Sequence, residues 1–558
     1  MKNGLSILLL TSKSWAGFNI SPPLGLYNLK TAVEAHNHCC EIFDYDIDDE
    51  NLLKTRVKSG AYDIIGMSVT HVNMSMDLDA ILELRQLALS AHDTLMIAGG
   101  QEATMNYEQW LRTKLLDICF LGFADKTFAN FCDHLFLFDR KYHEGNSLST
   151  NLLTLLQNTS GVAYLAPMLK TERVDMGMQT VYQPSPTLTR EEFSELFYVN
   201  GLKNNIPYYR YWDIMRARKN NAFNNASFTV ETTRLYTVSH CPRRCGFCSS
   251  QNFLPLSQDK KITIIMLSAQ EVYELVEHYA NNVGARAFMF SDDDFPVGNA
   301  QGILRLKEFC QKVIEGKSSG ELPSDLQFFC QARVLDFLYR QSDGTKILRS
   351  ELLQLMKLAG FHNIGLGIES FSERLLHMPS VNKIGVTLDD YRIVIDELLR
   401  LGITPQMFII IGIPESTVED LMDSITVATE YIHKGADVAV ISTMRVYPGS
   451  PLTQNGDYPL VTKPWINPVT GQQTDILDFF IPENKEIAGI VDMIDEAAAE
   501  EQVSLKRRYG WSEDAMLSKS LIGTIQFIAV AKLLERHDVA TRLYKMVDEN
   551  LESSSYAA

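Results

Sequence analysis

A chain of 558 residues is several times larger than one hydrophobic core supports, so several domains are expected. Its hydrophobic fraction of 46% and charged fraction of 22% exclude a largely disordered or collagen-like polymer. Lys and Arg number 51 against 69 Asp and Glu, a net charge of −18, and so acidic a surface repels phosphate backbones, so no nucleic-acid partner is expected.

The first element, Leu5 to Leu10, is a fully apolar strand pattern, too short for a secretory signal core. No uncharged apolar run reaches the length of a membrane span, and a cytoplasmic location is the expectation. Further strands are read at Cys40–Asp44, Asp63–Ser68, Thr94–Ala98 and Leu116–Leu121, separated by helical stretches such as Leu26–Ala35 and Leu78–Leu89. Alternation of this kind predicts an α/β, doubly wound, Rossmann-like domain over residues 1–140, with ligands at the carboxyl ends of its strands. The candidate ligand positions are Thr11–Trp15, Ser68–His71 and Gly99-Gly100. Residues 141–230 are less regular and partly Asn-rich, and are read as a connecting region. Within it, Tyr208, Tyr209, Tyr211 and Trp212 form an aromatic group expected to pack between domains.

From 231 to 455 strand and helix alternate again, in about six β/α units, which predicts a partial (β/α)6 barrel. The remainder, 456–558, is read as mainly helical, with Ile487, Ile490, Val491 and Ile494 at helical spacing.

Of nine cysteines, six are scattered: Cys39, Cys40, Cys119, Cys132, Cys310 and Cys330. The other three lie in Ser239-His240-Cys241-Pro242-Arg243-Arg244-Cys245-Gly246-Phe247-Cys248-Ser249, a CxxxCxxC spacing directly after the first barrel strand. Three thiolates on one loop can each take one iron of a cubane cluster and leave the fourth open. Zinc is the rival, but a structural zinc site usually wants four ligands, and His240 is too close to Cys241 to supply the fourth without strain.

This segment resembles the cluster loop of the radical S-adenosylmethionine superfamily, with Cys241, Cys245 and Cys248 as metal ligands and Phe247 as the aromatic before the third cysteine. The resemblance continues at successive strand ends. It implies that Ser291, Asp292 and Asp293 meet the amino group of S-adenosylmethionine, that Arg333 pairs with its carboxylate, and that Glu369 binds ribose hydroxyls. Gly412 and Ile413 resemble the adenine-side strand, and Tyr447 opens the final family turn, Tyr447-Pro448-Gly449-Ser450-Pro451. Singly, each of these has an ordinary reading as a solvated turn, a surface ion pair or a helix-end acid. In order, each after a strand and downstream of the cysteine loop, they argue for one cofactor site.

Residues 1–140 resemble the cobalamin-binding domain that precedes this barrel in one subclass, through Pro23-Leu24-Gly25-Leu26, Gly66-Met67-Ser68 and Ala98-Gly99-Gly100-Gln101-Glu102-Ala103-Thr104. Ser68, Thr70, Gly99 and Gly100 are the implied contacts. The DxHxxG signature of histidine-ligated cobalamin is absent from Thr11–Trp15, and His71 is read as a surface or capping residue. Cobalt is therefore expected to lack a protein imidazole. The resemblance implies a 4Fe–4S cluster, S-adenosylmethionine and cobalamin as cofactors, and an electron donor such as flavodoxin or ferredoxin. It implies methylation of an unactivated carbon in a small or peptidyl metabolite, through a 5′-deoxyadenosyl radical and methylcobalamin. The alternative is ring rearrangement or oxidative cyclisation, with or without cobalamin. No catalytic side chain is assigned.

Overall fold

The computed structural model of the chain describes every residue except 1–3, 14–19, 72–73, 90–92, 139–140, 146, 168–177, 221–229, 261, 457, 513–516, 518 and 556–558. Ser14, Trp15 and most of the Asn-rich stretch thus lie outside the described residues.

Strands β1 (Ser6–Leu10), β2 (Cys39–Phe43), β3 (Ile64–Ser68), β4 (Leu95–Gly99) and β5 (Ile118–Phe120) form a parallel sheet in the order β2-β1-β3-β4-β5. Helices α1 (Leu24–Ala35), α2 (Glu50–Lys58), α3 (Met74–Leu89), α4 (Gln101–Arg112) and α5 (Asp125–Phe136) alternate with them. The apolar runs of β1, β3 and β4 are buried on both faces, as helices on both sides of a parallel sheet require. Part of the connecting region behaves differently from its sequence reading. β6 (Val162–Pro167) and β7 (Met178–Gln183) extend this sheet antiparallel beyond β5, because Val162, Ala163 and Tyr164 are apolar enough to be buried against it.

The two ends of the first sheet are held by charge. At the amino end, Asp117 accepts two bonds from Arg85 at 3.0 and 3.1 Å and one from the Met96 amide at 2.7 Å. His143 lies between Asp117, at 3.1 Å, and Asp93. At the carboxyl end, Asp77 is fully buried and takes the Ser12 hydroxyl, the Lys13 amide at 2.8 Å and the Thr70 amide at 3.3 Å. One carboxylate thereby ties the loops after β1 and β3 together.

The second sheet runs β8 (Thr232–Leu235), β9 (Ala287–Phe290), β10 (Gln327–Ala332), β11 (Phe361–Glu369), β12 (Thr404–Gly412) and β13 (Asp437–Thr443), in sequence order and all parallel. The aromatic α6 (Tyr208–Asn220) leads into β8. Between strands lie α7 (Ala269–His278), α8 (Ala300–Ser319), α9 (Ser350–Ala359), α10 (Leu388–Arg400) and α11 (Val418–His433), the partial barrel the alternation predicts. Phe288, Phe290, Phe295, Phe309, Phe328 and Phe361 pack together between strands and helices. Beyond the barrel, α12 (Lys485–Arg508) buries Ile487, Ile490, Val491 and Ile494, and α13 (Lys519–Leu533) packs along β13.

The C-terminal region is not helical throughout. β14 (Leu460–Ile466) and β15 (Gln473–Phe480) form a hairpin whose Trp465 and Ile476 enter the core of the first sheet. Trp465 also donates to Asp79 at 2.8 Å. α6 also spans the two sheets, with the Tyr211 hydroxyl on Asp44 at 3.0 Å and the Trp212 indole on the Thr232 carbonyl at 3.0 Å. The aromatic group packs between domains, except Tyr209, which is exposed.

Burial alone would lower His143, but hydrogen bonds to Asp117 and Asp93 raise it to about 8. A folded-state value above the unfolded 6.5 stabilises the chain below pH 6.5, and the benefit is lost as pH rises through 8. Wild type is expected to exceed His143→Gln in unfolding free energy by about 2 kcal/mol more at pH 6 than at pH 9 in denaturant titrations. A pH-independent difference would contradict the assignment.

Candidate cofactor-binding site

The cysteine loop leaves β8 at the carboxyl end of the barrel and is clamped from two sides. Gly246 donates to the Val381 carbonyl at 3.3 Å and accepts from the Leu452 amide at 3.1 Å, while Asn382 donates to the Arg244 carbonyl at 2.5 Å. A side chain at Gly246 would strike the Pro379 carbonyl at 2.1 Å, so only glycine lets the loop lie this close. Cys241, Cys245 and Cys248 are all half-buried and free. Burial pushes the Cys241 thiol well up, with Asp294 adding to it, and raises Cys248 to about 11. Such thiols keep their protons until a metal replaces them. Among the described residues no three His, Cys, Asp or Glu side chains converge on a single metal ion. His240 is buried, with Nδ1 3.0 Å from Ser239 Oγ. The loop therefore suits a cluster, in which each thiolate takes its own iron, better than a zinc ion. Phe247 packs against the barrel core.

Asp292 does not face a ligand as expected. It is buried and accepts from the Thr237 amide at 2.6 Å, the Thr237 hydroxyl at 2.6 Å and the Val238 amide at 2.8 Å. Those donors close β8 just before the cysteine loop, so Asp292 is spent on holding that turn. Ser291 Oγ, by contrast, is buried with no partner among the described residues, and Asp293 is open to solvent although the surrounding protein raises its carboxyl. Arg243, between the first two cysteines, donates to Asp294 at 2.9 Å and to Asp336 at 2.6 Å. Asp336 also accepts the Arg333 amide at 2.7 Å, and the Arg333 side chain stays half-exposed at the end of β10.

Glu369 ends β11 with φ of 63°, a left-handed conformation that is strained for a non-glycine residue and common at ligand sites. Its Oε1 accepts from Lys383 Nζ at 2.7 Å, and both side chains are at least nine-tenths buried. Lys383 also donates to the Gly367 carbonyl. The sequence reading missed Lys383 and Asp336, and gave Arg243 and Asp294, both inside the motifs it read, no role of their own. Ile413 departs from expectation: its side chain is in the core and its carbonyl accepts from Ser416, leaving only its amide for a ligand. Gly412 lies against Val491 of α12, 2.9 Å from where a Cβ would stand. Tyr447 is half-buried on the final turn.

The carboxyl edge of the first sheet meets this site directly. Gln101, the first residue of α4, donates to Ser249 Oγ at 3.3 Å, one residue beyond Cys248. The His71 ring lies 6.0 Å from that of Tyr447, tilted by 55°. Gly99 faces open space, since an added Cβ would meet nothing nearer than the Phe120 carbonyl at 3.9 Å. Gly100, at φ of 96°, turns the chain beside Ser68 Oγ. Thr70 is instead engaged with Ser12 at 3.0 Å and with Asp77. His71 is not on the surface as expected: it is 6% exposed, and among the described residues its buried Nε2 has no partner. An open glycine edge and an orphaned imidazole nitrogen suit a large planar group with polar needs.

The chain matches the Radical SAM superfamily over residues 235–428 and the B12 binding domain over residues 18–131. Comparison with curated proteins finds no match. Among solved structures, the radical S-adenosylmethionine methyltransferase TsrM from Kitasatospora setae, with tryptophan substrate and a cofactor analogue bound, is similar at 14% identity and a TM-score of 0.57, over 85% of each chain. The cobalamin-dependent S-adenosylmethionine radical enzyme OxsB is similar at 14% identity and a TM-score of 0.62, over 100% of this chain and 80% of that one. Likeness at that identity speaks to the fold. With both family matches falling on the sheets described above, the chain is a cobalamin-dependent radical S-adenosylmethionine enzyme, whose cofactors are a 4Fe–4S cluster, S-adenosylmethionine and cobalamin.

Proposed function

We propose that this enzyme methylates an unactivated carbon of a small or peptidyl metabolite. The observation that carries the reading is the direct meeting of the two ligand edges, through Gln101 on Ser249 and His71 against Tyr447. Two cofactor-binding edges that touch have one obvious use, which is to pass a group between them across a substrate held at the seam. TsrM, to which the chain is similar, is a methyltransferase, in agreement with this. When bound, the cofactors supply hydrogen-atom abstraction and a transferable methyl group.

The chain's own part is positioning. Cys241, Cys245 and Cys248 hold the cluster, and Arg243, bound to Asp294 and Asp336, fixes the loop that presents them. Arg333 takes the carboxylate of S-adenosylmethionine, and Ser291 Oγ with Asp293 accepts from its ammonium group, the donor and acceptors a zwitterion requires. Glu369 offers its second oxygen to ribose while Lys383 holds the first. Gly412, the Ile413 amide and Tyr447 border the adenine. Ser68, Gly99 and Gly100 line the cobalamin edge. A substrate and a reductant are needed, the latter in our reading a flavodoxin or ferredoxin. Among the described residues no helix is long and apolar enough to cross a membrane.

The test is product analysis under anaerobic conditions, with iron, sulfide and cobalamin loaded and a low-potential reductant present. Both 5′-deoxyadenosine and S-adenosylhomocysteine are expected, and the Cys241→Ala, Cys245→Ala, Cys248→Ala triple variant is expected to lose its iron and form no 5′-deoxyadenosine. 5′-Deoxyadenosine without S-adenosylhomocysteine would count against methylation and favour rearrangement or oxidative cyclisation.

Arg333→Ala is expected to weaken S-adenosylmethionine binding by about ten- to a hundred-fold with iron content unchanged, the loss of one charge-assisted bond of about 1.5–3 kcal/mol. Lys383→Met leaves the Glu369 carboxylate buried and unpaired, a penalty of about 3–5 kcal/mol. It is expected to lower both the unfolding midpoint and cofactor affinity, whereas Lys383→Arg restores part of each. Unchanged calorimetric binding in either the Arg333 or the Lys383→Met variant would remove that residue from the site.

A further inference from the structure

His71 stands at the carboxyl end of the first sheet, just after β3, where a doubly wound fold presents its ligand. Its side chain is 4% exposed. Nδ1 lies 3.3 Å from Glu102 Oε1, and Glu102, 5% exposed in the first turn of α4, is fixed in turn by the Asn106 amide at 2.9 Å. A carboxylate only accepts, so the imidazole proton belongs on Nδ1 and the lone pair on Nε2. Among the described residues that lone pair has no donor, although it is buried.

A carboxylate on one ring nitrogen and nothing on the other is the arrangement of a metal-bound histidine, in which the outer carboxylate fixes the tautomer and makes the free nitrogen more basic. The unfilled nitrogen also lies at the seam of the two ligand edges, with Gly99 and Gly100 at the end of the neighbouring strand and Tyr447 of the cluster side across from it. We propose that His71 Nε2 is the axial nitrogen ligand of cobalt in bound cobalamin, with Glu102 as its positioning residue. The proposal rests on the cobalamin reading above, and it reverses the expectation drawn from the loop after β1. That loop supplies no histidine, but the loop after β3 does.

The experiment is electron paramagnetic resonance of the full-length protein loaded with hydroxocobalamin and reduced to cobalt(II). The cobalt lines are expected to split into triplets from one nitrogen-14, and protein labelled with nitrogen-15 in histidine alone is expected to show doublets. His71→Ala is expected to keep its corrinoid, seen by its visible absorbance, and to lose the splitting. A triplet unchanged by histidine labelling would assign the nitrogen to the cofactor's own base and overturn the proposal, as would bound corrinoid without splitting. Wild-type protein that binds no corrinoid at all would overturn the cobalamin reading itself, an outcome the absorbance separates from the others.

Discussion

Arg243 is the constraint on which the cluster side of the molecule depends. It sits between the first two cysteines and reaches two carboxylates, Asp294 and Asp336, that are almost wholly withdrawn from water. Burial and the nearby Asp294 push the Asp336 carboxyl well above its ordinary value, and Arg243 opposes them. Buried charges of this kind are costly unless paired, so the loop cannot move without exposing the fold to that cost. The same Asp336 holds the backbone at Arg333, and so links the placement of the cysteines to that of the residue proposed for the cofactor carboxylate. Asp292 does the equivalent work on the turn that leaves β8. The loop presenting three thiols is in this way tied to the strand ends beneath it.

Rigidity at the seam comes from elsewhere. α6 and the β14–β15 hairpin both reach across, one through Tyr211 on Asp44 and the other through Trp465 in the core of the first sheet. They leave the ligand edges facing each other and in contact at Gln101 and Ser249. The proposed group transfer between two large cofactors would need the separation of these edges fixed, since misplacement by an ångström is costly in rate.

What the sequence made legible were features written in short range. The CxxxCxxC spacing, the apolar runs of β1, β3 and β4, and the helical spacing of α12 each depend on residues a few positions apart. What it hid depends on packing between distant segments. In Ser291-Asp292-Asp293-Asp294 three identical carboxylates differ only in what surrounds them, and the free amides at the end of β8 decide that Asp292 turns inward. Lys383 carries no motif and meets Glu369 only because the loop after β11 folds back. Trp465 is the one buried residue of an otherwise exposed or half-exposed strand, and its partner Asp79 lies 386 residues away. The burial of His71 likewise follows from α4 and the final barrel turn, neither of which its own loop announces.

The central claim is that the cluster and cobalamin face each other across one cavity. The most direct measurement is the magnetic coupling between the reduced cluster and cobalt(II) in the same molecule, by pulsed electron paramagnetic resonance. The account predicts that reducing the cluster broadens the cobalt signal and speeds its relaxation through dipolar coupling. Two signals that remain magnetically isolated in fully loaded protein would contradict it.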